Sequence, residues 1–227
     1  INNGGLLSPG DKMFFRSGDR FEGNLIINCS GSVDKPIAIS SYGIGDLPII
    51  SGSGNITGGD YSEAIKYVNA SHITMSNIWV QNDRKDSTRY TSGHDKSFGT
   101  LVKANQLGGV STGLIFRALK ITNVYGVKVP KTFQGYRVTG LRFESDSNET
   151  NIEVTIKNVL IEDCYFSEIG KAGIWPVHKG NLNASIDSVN RNMNFVIRNN
   201  TFFRTGGSGV IMGKMHNALV ENNDFDH

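Results

Sequence analysis

From residue 73 onward the chain repeats one pattern: a short apolar segment, a turn, then a glycine that opens a second apolar segment. The first half occupies Met75 to Val80, Phe116 to Ile121, Ile161 to Phe166, Ile197 to Phe202 and Val220 to Phe225. Each copy keeps a large apolar residue at both ends, five positions apart. The second half opens at Gly99, Gly140, Gly173 and Gly209, followed by Leu101, Leu141, Ile174 and Val210. Successive copies start 41, 45, 36 and 23 residues apart, so the shortest spacing fits one bare coil and the excess is insertion. The apolar spacing is mostly two, and Val, Ile and Phe dominate, which predicts strands rather than helices. A strand of this length cannot bury its apolar side alone. Stacking on the next copy does so, which predicts a solenoid of stacked coils. Asparagine pairs such as Asn199-Asn200 and Asn222-Asn223 are expected at the coil corners, because asparagine tolerates left-handed backbone.

Composition sharpens this picture. Of 227 residues, 27 are glycine and 23 asparagine, while only 5 are proline. That argues for many turns joining short strands and against collagen. A formal charge of +2 is too mild for a nucleic-acid binder. No apolar run approaches the ~20 residues of a membrane helix. Cys29 and Cys164, the two cysteines, are expected as buried thiols rather than a disulfide. Asn-x-Ser/Thr sites occur at Asn28, Asn55, Asn69, Asn148, Asn183 and Asn199, a pointer to secretion that this composition largely supplies by chance.

The N-terminal segment adds a further signal. It runs Pro9-Gly10-Asp11, Gly18, Phe21 to Leu25, Gly31, Pro36-Ile37, Tyr42 to Gly45, then Pro48 to Gly52. Together with the repeat, this order resembles the first coils of right-handed parallel β-helix carbohydrate-active enzymes: polysaccharide-degrading glycoside hydrolases and polysaccharide lyases. The resemblance covers nearly the whole chain and brings no signature of catalytic residues. It implies an all-β, right-handed parallel β-helix with long loops lining a groove, and it favours hydrolases. Residues 1–57 would hold the N-terminal strands and first coils, and residues 58–227 the coils with inserted loops. The repeat ending at Phe225 has no cap, so further coils are expected beyond residue 227.

The insertions locate the site. From the end of the first segment to the repeat glycine, two copies need only 7 residues, whereas the two earlier copies use 19. Loops 82–98 and 125–138 therefore leave from one corner of adjacent coils, and loops 104–112, 145–153 and 178–193 from a second. Two walls of loops with a strand face between them make a groove along the stack, suited to an extended glycan.

By alternation, Leu101, Leu141, Phe143, Ile174 and Val210 should point inward. Lys103, Arg142, Glu144, Trp175, His178, Lys179, Lys214 and His216 then face outward or end the strands. That floor is basic with one carboxylate and one aromatic, which suggests a uronate-containing or sulfated polysaccharide. Arg142 and Lys179 are candidates to neutralise a uronate, His178 and Lys214 to act as base, and Glu144 as general acid. Trp175 would stack on a sugar. Lys103, His216 and His94, the last beside Asp95 in the first long loop, would contact substrate. Asp224 and Asp226, two or three coils on, are the carboxylates that could partner Glu144.

The expected function is cleavage of glycosidic bonds in an acidic polysaccharide, with hydrolysis placed ahead of β-elimination by a Lys or His base. A non-catalytic glycan-binding β-helix of adhesin or tailspike type is the alternative from another class, and an epimerase shares the lyase's proton chemistry. No cofactor is required on this reading; Ca²⁺ could neutralise a uronate, although no dense acidic cluster offers to hold it. The partner is a polysaccharide or oligosaccharide, with neither nucleic acid nor membrane involved. The location is secreted, periplasmic or at the cell surface.

Overall fold

A computed structural model describes residues 6–52, 62–84, 96–105, 109–126, 138–147, 154–180, 192–213 and 215–226. Among the described residues, twenty strands wind through three parallel sheets, and each coil gives one strand to each sheet except the last, which gives none to the third. Sheet A stacks β1 (Lys12–Arg16), β4 (Ile37–Tyr42), β7 (Ile73–Ser76), β10 (Val110–Arg117), β13 (Thr155–Glu162), β16 (Asn192–Arg198) and β19 (Met215–Glu221). Sheet B stacks β2 (Arg20–Glu22), β5 (Ile49–Ser51), β8 (Trp79–Asp83), β11 (Lys120–Tyr125), β14 (Tyr165–Ile169), β17 (Thr201–Thr205) and β20 (Asp224–Asp226). Sheet C stacks β3 (Leu25–Ile27), β6 (Glu63–Val68), β9 (Ser97–Asn105), β12 (Val138–Ser147), β15 (Ala172–Gly180) and β18 (Ser208–Val210). The chain is a right-handed parallel β-helix, the hand that parallel crossovers take. The strands before residue 57 belong to the same three sheets as the later ones.

The repeat seen in the sequence is the stacking register. Met75, Phe116, Ile161, Ile197 and Val220 lie directly over one another in sheet A. Val80, Ile121, Phe166, Phe202 and Phe225 do the same in sheet B. Each six-residue motif, however, is a corner between two sheets rather than one strand. The two apolar ends enter the interior from different sheets, and the middle turns the chain. That turn needs a left-handed residue, and Asn77, Ala118, Asp163, Asn199 and Asn222 hold φ of 50–56° there. Asparagine is the cheapest non-glycine choice for it.

Beside this corner, asparagine also bonds along the stack. Asn200 receives the Cys164 N–H at 2.9 Å and donates to Ile161 O at 3.0 Å and to Asn223 Oδ1 at 2.9 Å. Asn223 repeats the motif, donating to Ile197 O at 2.9 Å. These bonds satisfy backbone groups that the change of sheet would strand inside.

Where sheet B passes into sheet C, the repeat glycines close on one another. A Cβ on Gly173 would lie 2.6 Å from Gly209 O and 2.6 Å from the Phe202 ring, and Gly99 and Gly140 face the next glycine's carbonyl in the same way. Only a residue without a side chain fits this corner.

The interior between the sheets is apolar and aromatic. Tyr67, Phe116, Phe143 and Phe195 meet edge to face, with centroids 5.0–5.8 Å apart. Phe166, Phe202 and Phe225 stack face over face at 4.9 Å. Each fully buried ring contributes roughly 1.5–3 kcal/mol, whereas Phe225 at the end of its stack is half-exposed. Both cysteines are free thiols, Cys164 buried and Cys29 half-buried. On the outside of sheet A, Glu162 accepts from Arg117 on the rung before and from Arg198 on the rung after.

Candidate functional site

Sheet C presents one face to the interior and one outward, and register decides which side chains share the outer face. One outward row runs Lys66, Leu101, Arg142, Trp175 across β6, β9, β12 and β15. The next runs Val68, Lys103, Glu144, Val177, and the one after that Asn105, Asp146. The inward rows are Ile65, Thr100, Leu141, Ile174, then Tyr67, Val102, Phe143, Pro176, then Ala104, Ser145, His178.

Four of the expected residues thus share the outer face, namely Lys103, Arg142, Glu144 and Trp175, and they occupy adjacent rungs. Arg142 and Glu144 stand two apart on one strand, which aims both side chains the same way, and Arg142 Nε meets Glu144 Oε1 at 3.1 Å. The Arg142 guanidinium also lies 4.4 Å from the Trp175 ring centre and 5.9 Å from that of Phe98. Although they face outward, Arg142 is only 6% and Glu144 only 9% exposed. A charge-assisted, stacked guanidinium in so enclosed a setting is held in one orientation.

Other expectations are corrected. His178 does not face outward. Strand alternation turns it inward opposite Ser145, its Nδ1 lies 2.8 Å from Ser145 Oγ, and it is 3% exposed. His216 belongs to sheet A, where it follows Met193 in β19, so it lies off the floor. Leu101 joins the outward row of Arg142, and Thr100 takes the inward place, because Thr100 rather than Leu101 pairs with Leu141. Glu144 is not the floor's one carboxylate. Asp146 stands on the same outer face, since β12 continues to Ser147 where a loop was expected. Glu63 lies in the same sheet, 2.8 Å from Lys66 Nζ. Asp224 and Asp226 sit on β20 in sheet B and do not cross the floor to Glu144.

His94, Asp95, Lys214 and the side chain of Lys179 lie outside the described residues, as do most of the loops expected to wall the groove. Among the described residues no three His, Cys, Asp or Glu side chains come together to hold a metal ion.

One edge of the floor is the corner between sheets B and C. There the Tyr125 hydroxyl donates to Glu168 Oε2 at 2.6 Å, and Arg204 Nη1 donates to Glu168 Oε1 at 3.1 Å. Burial first, and the Glu168 carboxylate second, push the Tyr125 hydroxyl well above its ordinary range, so it remains a proton donor.

Asp146 was within reach of the sequence. The alternation that marks Arg142 and Glu144 gives Asp146 as the next outward position. Ser145 carried no signal of its own until its partner on β15 was known.

No family model and no curated protein matches this chain. Solved structures do. The native and selenomethionine crystal forms of a GH136 lacto-N-biosidase from Eubacterium ramulus superpose on 92% of the chain, each with a TM-score of 0.72, at 21% and 22% identity. The chain spans 38% of that protein's length. At this identity the likeness is one of fold.

Proposed function

We propose that this chain forms the substrate-bearing stretch of a secreted or surface enzyme that hydrolyses glycosidic bonds in a polysaccharide or oligosaccharide. The observation that carries the reading is the outer face of β12. Arg142, Glu144 and Asp146 succeed one another on it, and Trp175 lies on the next rung. Likeness to a fold that serves a lacto-N-biosidase supports the same reading.

Glycoside hydrolysis needs two carboxyl groups: one protonates the departing oxygen, and the other either activates water or attacks the anomeric carbon. The Cα atoms of Glu144 and Asp146 lie ~6.6 Å apart at two strand rises of ~3.3 Å. Their side chains can close or open that distance across both known carboxyl spacings, about 5–5.5 Å for retention and about 6.5–9.5 Å for inversion. Arg142 fixes Glu144 from one side and backs the ring of the half-buried Trp175, which gives a flat surface for a sugar.

The described outer face sets Glu144 and Asp146 against Lys66, Lys103 and Arg142, which is close to balance. A charged substrate is therefore not part of the proposal. Elimination is the less supported chemistry, because His178, one of its two candidate bases, is turned inward.

The test is incubation of the full-length protein with neutral and uronate-containing glycans, reading new reducing ends and ultraviolet absorbance of unsaturated products. Reducing ends without that absorbance are expected, and Glu144→Gln and Asp146→Asn should each lose at least about 100-fold in turnover. Unsaturated products would make it a lyase. Binding without turnover, or full turnover in Glu144→Gln, would overturn the assignment.

A further inference from the structure

We propose that His178 is a positioning residue whose bond to Ser145 sets the aim of Glu144 and Asp146. This rests on the reading of those two carboxylates as the reacting groups. Ser145 lies between them in β12 and points the opposite way, into the interior. In a strand, a rotation about the chain axis at one residue swings both neighbours, so a tether on Ser145 holds the outward pair.

The tether is specific. The hydroxyl of Ser145 and Nδ1 of His178 meet at 2.8 Å across two rungs, and the residues are 0% and 3% exposed. The preceding rung fills the same inward row with Ala104, so packing alone does not call for polar groups here. Two polar side chains buried in an apolar interior are costly unless they bond each other. The strand end that carries His178 is held from behind. Asn192 donates to Val177 O at 3.3 Å and accepts the Ile156 N–H at 3.0 Å, which binds the end of β15 to sheet A. A continuous polar link therefore runs from Ile156 through Asn192 and the end of β15 to Ser145, just behind the carboxylates. The same burial rules out Ser145 and His178 as a nucleophile and its base, because no glycan reaches them.

The experiment uses the full-length protein and the glycan it cleaves. Ser145→Ala, His178→Phe, their double variant and His178→Asn are compared by melting temperature, kcat and KM, with kinetics taken well below every melting point. Loss of one buried bond should lower kcat by about tenfold in Ser145→Ala and in His178→Phe, with KM unchanged. The double variant should be no slower than either single one. The amide of His178→Asn, which can take the place of Nδ1, should restore much of kcat. Melting points that fall while kcat holds would reduce the pair to a structural role and overturn the inference. Glu144→Gln separates the two readings: if it kills turnover while Ser145→Ala does not, only the positioning role fails. If Glu144→Gln leaves turnover intact, the site reading fails and the positioning role falls with it.

Discussion

The guanidinium of Arg142 lies 4.4 Å from the ring centre of Trp175, one rung further along sheet C, while its Nε holds Glu144. One side chain thus joins a charge on its own strand to an aromatic surface on the next. Trp175→Ala should weaken substrate binding, raising KM by about tenfold on the worth of a stacked ring and cation. Arg142→Ala should cost more, because it removes the guanidinium that Glu144 binds in an enclosed setting. A loss of about 3 kcal/mol in unfolding free energy is expected from urea titration, together with lost turnover. Arg142→Lys keeps the charge but not the flat, forked contact, and should fall between the two.

Gly173→Ala tests the corner between sheets B and C. The added methyl would meet Gly209 O and the Phe202 ring, each at 2.6 Å, and a carbonyl in a stacked rung cannot step aside. A loss of about 2 kcal/mol or more is expected, seen as a lower denaturation midpoint. Gly18→Ala is the control. No atom lies within 4 Å of its would-be Cβ, and only its φ of 84° opposes the change.

Asn200→Ala removes a side chain that serves Cys164 N, Ile161 O and Asn223 Oδ1. Two buried backbone groups lose their partner, for an expected cost of about 2–3 kcal/mol by chemical denaturation. Asn200→Asp should be no gentler, since a carboxylate accepts from Cys164 but offers no donor to Ile161.

Glu162 gives the acid limb of stability. Bonds from Arg198 first and Arg117 next outweigh burial and hold its carboxyl below the ordinary carboxylate range. A depressed carboxyl stabilises the fold above its unfolded value of about 4.3, and the gain is lost as pH falls through the folded value. The gap in melting temperature between the wild type and Glu162→Gln should therefore be widest near neutrality and should close below about pH 4. Salt should narrow it as well, because both arginines are substantially exposed.

Thiol chemistry should separate the cysteines. Burial pushes the Cys164 thiol up to about 12, and it also raises half-buried Cys29. An alkylating reagent at mildly alkaline pH should label Cys29 slowly and Cys164 only after denaturation, as read by peptide mass mapping. Equal labelling of both in the native protein would show that the core at Cys164 opens.

The stacking register was legible because one large residue in each coil must lie on its counterpart in the next. The positions that begin and end each motif, from Met75 to Val220 and from Val80 to Phe225, are therefore visible as a repeat. The number of sheets was not, because a left-handed asparagine can bend a run such as Met75 to Val80 without interrupting its apolar ends. The outer face was legible where alternation is unbroken, from Arg142 to Glu144. It failed at Leu101, whose apolar side chain suggested the interior although Thr100, the residue directly after Gly99, takes the inward place. It also failed at His178, whose polar chemistry suggested solvent although its row is interior. No periodicity in one strand reveals a bond between rungs, so the pairing of Ser145 with His178 became visible only once β12 lay on β15.

The glycines at 99, 140, 173 and 209 impose an unequal freedom on the molecule. At these four positions no side chain fits, whereas the turn between sheets A and B accepts asparagine, aspartate and even alanine. A scaffold hinged so tightly along one seam can lengthen its outer bends from coil to coil without disturbing the seam. New substrate preferences could then arise by reshaping what overhangs the outer face, while the rod beneath keeps its pitch.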